Sequence, residues 1–415
     1  MVLFFDNNME KVVDEDMVVF YSSFLHYALR VDKNAATLIE FLMENGSGNE
    51  ISIDNILKIL PKFEHKEIED TLEELSSTQL FYKDSMSYRL NNFNLLRDEV
   101  KKIDIVQAYV HLTFRCNLNC EYCYNKDKLN SCKDLPLYSM KYIIDTLKEN
   151  GVKELVFTGG EPTLYKYFKE IVDYAYEKGF FIEVLSNGTT LQSLDDDTIK
   201  KVDSFMISLD GIDKEKTHRK NSEKFSVLNQ IVNLKERGGK VKVRSVLTKK
   251  NGEEIKKLKE YLFEREIDHV EALYIPASKE EFDLIPDLNL IKQSDDEFEL
   301  CDITDCGAGQ TIIAINPEGK IYPCQSLMLD EFYITNIFNE NWMNELKNSR
   351  ISQYFLNRKN SEIEGCENCK VRTICSGGCR SIAYNVYNDI EHKIDYLCDF
   401  FMEESKNSIK NIKFN

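Results

Sequence analysis

The sequence predicts an α/β fold: a partial (β/α)6 TIM-like barrel between a small N-terminal domain and a cysteine-rich C-terminal extension. Two observations predict it. From residue 107, apolar strand-like runs alternate with amphipathic helix-like segments, which implies a parallel sheet with right-handed crossovers. The twelve cysteines also fall into groups: Cys116, Cys120 and Cys123 follow the first barrel strand, eight lie between Cys301 and Cys398, and Cys132 is left over. The boundaries drawn from these patterns are 1–100, 105–285 and 286–415.

In the N-terminal domain MVVFYSSFLHYALRV reads as one or two strands. NAATLIEFLMENG reads as a helix with Leu38, Ile39, Leu42 and Met43 on one face and Gly46 as its stop. ISIDNILKIL is a second helix, ended by Pro61. HKEIEDTLEELSS is a third, with Ile68, Leu72 and Leu75 at helical spacing, and QLFYKDSMSYRL reads as a short hairpin. The barrel strands are VQAYVHLTF, ELVFTG, FFIEVLSN, SFMISLDG, KVKVRSVLT and HVEALYIP. Between them YSMKYIIDTLKEN, FKEIVDYAYEKG, FSVLNQIVNLKERG and NGEEIKKLKEYLFERE carry helical patterning. Residues 279–300 are acidic and read as an irregular bridge to the extension, and EESKNSIKNIKFN reads as a helical tail.

A chain of 415 residues with 42% hydrophobic content accommodates about three ordinary globular domains. The net charge of −18 speaks against nucleic acid as a partner, because that affinity rests on Lys and Arg neutralising phosphates. No apolar run approaches a membrane span, and the N-terminus carries no basic-then-apolar signal. A cytoplasmic location with no membrane partner is therefore expected, where reduced thiols suit metal ligation rather than disulfides.

The string FRCNLNCEYCYN spaces three cysteines as C-x3-C-x2-C. Three thiolates are one short of the four that an iron–sulfur cluster normally takes, and an open metal position invites a substrate or cofactor. A zinc knuckle or buried apolar thiols are the plainer readings of such a string. Against zinc, no fourth Cys or His follows closely, and His111 belongs to a strand-like run.

With further motifs in order, the chain resembles the radical SAM enzymes. Tyr122 matches the family's aromatic before the last cysteine, and Gly159-Gly160-Glu161-Pro162 matches its GGEP segment. Ser186-Asn187-Gly188-Thr189 and Ser208-Leu209-Asp210-Gly211 match later segments that face the cofactor. Every motif follows a strand-like run, the barrel end at which chemistry collects. The resemblance implies a 4Fe-4S cluster on Cys116, Cys120 and Cys123 that binds S-adenosylmethionine through its open iron. One electron then breaks the sulfonium bond, and the 5′-deoxyadenosyl radical takes a substrate hydrogen. Glu161 would offer an anion near the cofactor's amino group, and the two glycines would let backbone approach closely.

The later cysteines resemble the SPASM extension of that family. They run Cys306, Cys324, Cys366-x2-Cys369-x5-Cys375-x3-Cys379 and Cys398, with Gly319 between the first two and Cys301 upstream. The resemblance implies two auxiliary 4Fe-4S clusters, three clusters in all. One would take Cys301, Cys306, Cys324 and Cys379; the other would take Cys366, Cys369, Cys375 and Cys398. On spacing alone a two-zinc domain remains the alternative. Cys301 is the open question: without it, the first auxiliary cluster keeps an open iron.

Residues 15–90 resemble a winged-helix module of the PqqD-like type, which binds a leader peptide as an added strand. A DNA-binding winged helix competes, against the chain's charge. The three parts together resemble maturases of sactipeptides and ranthipeptides, which form thioethers between a cysteine sulfur and a carbon. That implies a ribosomally synthesised precursor peptide as partner, and a flavodoxin or ferredoxin as electron donor. The same architecture also makes carbon–carbon and cyclophane cross-links. A further alternative is an anaerobic sulfatase maturase forming formylglycine, although Gln325 stands where those enzymes have an Asp. A non-enzymatic iron–sulfur redox sensor is the last. For catalysis the sequence offers only Cys132 and Arg244 as candidates, each with a structural role as the plainer reading.

Overall fold

In the N-terminal unit, strand pairing joins residues that the sequence reading kept apart. β1 (Phe4–Phe5), β2 (Glu10–Asp14), β3 (Met17–Ser22) and β4 (Tyr27–Asp32) precede three helices, α1 (Lys33–Asn45), α2 (Ile53–Ile59) and α3 (His65–Ser77), and then β5 (Phe81–Tyr82). Strands β2, β3 and β4 form an antiparallel meander. The Asp32 carboxylate accepts from the Ala35 amide at 2.8 Å and caps α1; Gly46, at φ +84°, ends it. Glu64 and Glu67 form a capping box on α3. Leu38, Ile39, Leu42, Ile68, Leu72 and Leu75, the apolar faces read from helical spacing, make one core with Phe20 and Ile56. Phe81–Tyr82, in the first arm of the expected hairpin, pairs with β1; the rest of that hairpin, residues 83–90, lies outside the described residues.

The computed structural model describes residues 2–5, 9–14, 17–22, 27–47, 49–78, 80–82, 103–213, 219–220, 226–276, 279–286, 306–358, 362–367, 369, 375 and 377–399. From residue 107 the strands are β6 (Gln107–Thr113), β7 (Asn119–Cys120), β8 (Glu154–Gly159), β9 (Phe181–Ser186), β10 (Ser204–Ser208), β11 (Arg219–Lys220), β12 (Val241–Leu247) and β13 (Asp268–Leu273). In the extension they are β14 (Ile312–Ile315), β15 (Lys320–Tyr322) and β16 (Thr335–Asn336). The main sheet runs β13-β12-β10-β9-β8-β6-β14-β15-β16. Its first six strands are the six expected, all parallel. The extension does not stand apart from this sheet. β14 pairs parallel with β6, and β15 and β16 continue antiparallel.

Helices α4 (Leu137–Glu149), α5 (Phe168–Glu177), α6 (Asp196–Lys201), α7 (Val227–Glu236) and α8 (Gly252–Phe263) alternate with the parallel strands. Their apolar stripes, including Ile143, Ile171, Ile231 and Leu258, pack on Val110, Phe157, Val184, Phe205 and Val243. Successive strand residues point to opposite faces, so Tyr109, His111, Thr158, Glu183 and Arg244 turn to the inner side. Helices α9 (Trp342–Asn348), α10 (Arg350–Asn357) and α11 (Arg380–Tyr387) belong to the extension. The bridge read as irregular begins as a 3-10 helix, Lys279–Leu284; residues 287–300 and the tail at 403–415 lie outside the described residues. Among the described residues no helix is long and apolar enough to cross a membrane.

Candidate active site

The pairing of β6 with β8 shifts register between His111 and Thr113, and this bulge leads the chain into the loop carrying Cys116, Cys120 and Cys123. The GGEP backbone is tied to that loop. The Gly160 amide donates to the Thr113 carbonyl and the Glu161 amide to the Arg115 carbonyl, both at 2.8 Å. A Cβ on Gly159 would lie 2.1 Å from the Thr113 oxygen, and one on Gly160 2.4 Å from the Arg115 oxygen. The close approach that these glycines permit is therefore to the cysteine loop. Pro162 opens the 3-10 turn that follows, where its missing N–H costs nothing.

Glu161 is wholly buried. Its Oε1 accepts from the Thr163 amide at 3.2 Å, the Thr163 hydroxyl at 2.6 Å and the Ser186 hydroxyl at 2.9 Å. Its Oε2 accepts from the Asn187 amide at 2.6 Å. The carboxylate thus joins the GGEP segment to the SNGT segment. Burial raises its pKa against these donors. Asn187 continues the chain of contacts: its side-chain amide donates to Asn117 Oδ1 at 2.9 Å and to Cys116 Sγ at 3.7 Å.

On the other side of the loop, the Tyr122 hydroxyl donates to Asp210 Oδ2, and the Val246 amide to Asp210 Oδ1 at 2.9 Å. Ser208, two residues earlier, ends β10. Strand β7 pairs with β11, which sets Arg219 opposite Cys120. Arg219 is buried and donates through Nη2 to the Asn187 carbonyl at 3.2 Å, while its Nη1 has no hydrogen-bond partner. Burial opposes its charge, yet Tyr122, Asp210, Cys120 and Glu161 together hold its pKa up. The sequence reading missed Arg219. An arginine in the polar string KEKTHRKN has the composition of a solvated loop, and only the β7–β11 pairing places it here.

The three cysteines of the loop lie within electrostatic reach of one another, and burial pushes the Cys120 thiol up to about 12. Such a thiol loses its proton readily only beside a cation or a metal centre. In the extension, Cys324 is within reach of Cys306 and Cys379, and Cys375 of Cys366, Cys369 and Cys398. Burial pushes Cys324 to about 12 and Cys375 to about 11. Cys301 lies outside the described residues. Among the described residues no three His, Cys, Asp or Glu side chains are close enough to hold a single metal ion. Grouped thiols are the donor type that an iron–sulfur cluster takes, each thiolate on its own iron. Arg380, fully buried, donates to the carbonyls of Gly377, Gly378, Ile390 and His392 and so ties together the backbone segments that carry Cys379 and Cys398.

The two residues read as catalytic candidates take different places. Cys132 packs against the apolar group of Phe114, Ala314, Tyr322 and Met328, and burial raises its pKa. Arg244 stands exposed on β12. The Tyr124 hydroxyl donates to Gln325 Oε1 at 3.1 Å and so links the residue after Cys123 to the residue after Cys324.

His111 adds a pH signature. It is fully buried, neither ring nitrogen has a hydrogen-bond partner, and burial with Lys128 pulls its pKa down to about 3. Because the folded value lies below the unfolded one, its contribution is present above about pH 6.5 and is lost as pH falls toward the folded value. Between pH 7 and pH 5 the loss comes to about 2 kcal/mol. Urea titrations at both values should show His111→Gln losing about 2 kcal/mol less than the wild type over that interval.

Residues 110–262 match the Radical SAM superfamily, and residues 306–370 match SPASM, the iron–sulfur cluster-binding domain. The fold and site thus define an enzyme that works by radical chemistry at an iron–sulfur centre. The chain carries a radical SAM domain and, after it, a SPASM domain. The antilisterial bacteriocin subtilosin biosynthesis protein AlbA of Bacillus subtilis (strain 168) is 26% identical over 309 residues, 66% of this chain and 67% of that protein. The structure of Streptococcus suis SuiB bound to precursor peptide SuiA aligns with a TM-score of 0.58 at 17% identity, over 96% of this chain and 100% of that one. Native anSMEcpe with bound AdoMet and Cp18Cys peptide aligns with a TM-score of 0.56 at 18% identity, over 74% of this chain and 99% of that one. The two structures establish the likeness of fold.

Proposed function

We propose that this enzyme modifies a ribosomally synthesised precursor peptide, joining a cysteine sulfur to a carbon of another residue in a thioether. One observation carries the reading. The cysteine loop, GGEP, SNGT and SLDG segments converge at one end of six parallel strands, and the extension's strands continue the same sheet beside them. The similarity to AlbA and to the SuiB–SuiA complex supports a peptide substrate.

In this reading Cys116, Cys120 and Cys123 hold the cluster that binds S-adenosylmethionine. Cys301, Cys306, Cys324 and Cys379 hold one auxiliary cluster, and Cys366, Cys369, Cys375 and Cys398 the other, three 4Fe-4S clusters in total. When bound, cofactor and cluster would supply the 5′-deoxyadenosyl radical chemistry that removes a hydrogen atom from the peptide carbon, the thiol would give up its proton on bonding to that carbon, and the remaining electron would pass to an auxiliary cluster. The chain's own residues position the reactants. Glu161 locks the two segments that flank the cofactor, Arg219 offers a buried N–H to its carboxylate, and Tyr122 with Asp210 closes the opposite side. Residues 1–100 serve as the winged-helix, PqqD-like element, gripping the leader peptide along an edge of the β2–β4 meander. A flavodoxin or ferredoxin supplies electrons, and the reaction takes place in the cytoplasm.

Mass spectrometry of a neighbouring precursor, co-expressed anaerobically with the enzyme, tests this. Loss of two hydrogens with one thiol no longer alkylated is expected. The same loss with every thiol alkylatable would replace the thioether by a carbon–carbon or cyclophane cross-link. A hydrazide-reactive aldehyde would instead establish formylglycine formation. Against that reading, Gln325 bears an amide, which cannot take up a proton as an Asp would. Cys116→Ala should abolish 5′-deoxyadenosine release from S-adenosylmethionine and reductant, measured by chromatography.

A further inference from the structure

Strand β12 carries two cations on the face turned away from the helices. Val241 and Val243 pack into the core beneath α7 and α8, so alternation aims Lys242 and Arg244 at the barrel interior. Both are exposed, and among the described residues neither side chain makes a hydrogen bond or an ion pair. Arg244 is within electrostatic reach of Tyr109 on β6, Tyr124 in the cysteine loop and Glu183 on β9. Three such separate elements meet only across the interior. The parallel register sets Arg244 beside Ser208 on β10, two residues below Asp210.

Glu183, within electrostatic reach of both cations, accepts from the Ser204 hydroxyl at 3.1 Å, and Asp268 on β13 stands beside Lys242 in the register, yet neither carboxylate closes an ion pair with them. On an outer surface two solvated cations would need no explanation. Here they stand inside the reaction chamber of a chain whose net charge is −18. A guanidinium presents a planar fork that matches a carboxylate, and the ammonium two residues away adds a point charge.

We infer that Arg244, assisted by Lys242, recognises a carboxylate of the substrate peptide, so that an Asp or Glu lies close to the residue being modified. This rests on the peptide-substrate reading above. The two cations act by positioning and selecting the substrate.

Phenylglyoxal, which modifies accessible arginines, tests it on the full-length, anaerobically reconstituted protein with saturating S-adenosylmethionine. The extent of Arg244 modification is read by peptide mass spectrometry. Two synthetic probes of equal length are compared, one of alternating Gly and Asp, the other of alternating Gly and Asn. The Asp probe should slow Arg244 modification about tenfold, the range of a charge-assisted contact, and the Asn probe should leave it unchanged. Lys242→Gln should weaken the protection, and exposed Arg350 should react equally throughout. No protection by the Asp probe, or equal protection by both, overturns the proposal. Protection by S-adenosylmethionine alone also overturns it, because Arg244 would then serve the cofactor. The readout does not depend on turnover, so 5′-deoxyadenosine release with the precursor separately decides whether the enzyme acts on a peptide.

Discussion

Glu161→Gln should cost S-adenosylmethionine binding at least about a hundredfold, although the substitution is nearly isosteric. The reason lies in the donors that converge on the carboxylate. The amides of Thr163 and Asn187 approach different oxygens, Oε1 and Oε2. A glutamine side chain offers one oxygen and one NH2 group, so either flip sets a donor against one of these fixed backbone donors. Each orphaned group costs about 1–3 kcal/mol in a buried site. Glu161→Ala should cost more, about 3–5 kcal/mol, because every donor is then unmade. Linkage runs the other way. Burial raises the Glu161 pKa, so ionisation at neutral pH opposes folding, and this part of the stability is present at acid pH and lost as pH rises through the folded value. The amide removes that opposition, so the destabilisation of Glu161→Gln should be smaller at pH 8 than at pH 5. Equilibrium dialysis with the cofactor and urea titration at both pH values check the two effects.

Arg219→Met should destabilise the site by about 3–5 kcal/mol and lower the iron retained after reconstitution. Methionine fills much of the volume but leaves the buried Asp210 carboxylate without its neighbouring cation and the Asn187 carbonyl without its donor. Arg219→Lys should recover little. An ammonium cannot reach the Asn187 carbonyl and also present a second N–H in the plane that the guanidinium provides. Iron content and cofactor affinity, measured alongside denaturation, separate a local defect from global unfolding. A variant with wild-type stability and iron content would remove Arg219 from the site.

Much of this site was legible before the fold. The four motif segments were read at strand ends, and the structure brings them there. Their mutual bonding was not legible. Glu161 was expected to serve as an anion toward the cofactor, yet its oxygens are occupied by Thr163, Ser186 and Asn187. The strand β14 was also missed. Its short run TIIAI lies far from the barrel in sequence and gains its place only through pairing with Gln107–Val110.

By itself the sequence determined the alternation of strands and helices, the helix stops and the spacing of the cysteines. These follow from local periods and from residues with restricted backbones, which act over a few positions. Tertiary structure alone decided that Arg219 faces Cys120 and that Arg244 turns inward beside Ser208. Those relations join residues tens of positions apart through strand register. Register is set by the whole sheet closing over one core, and no local window encodes it.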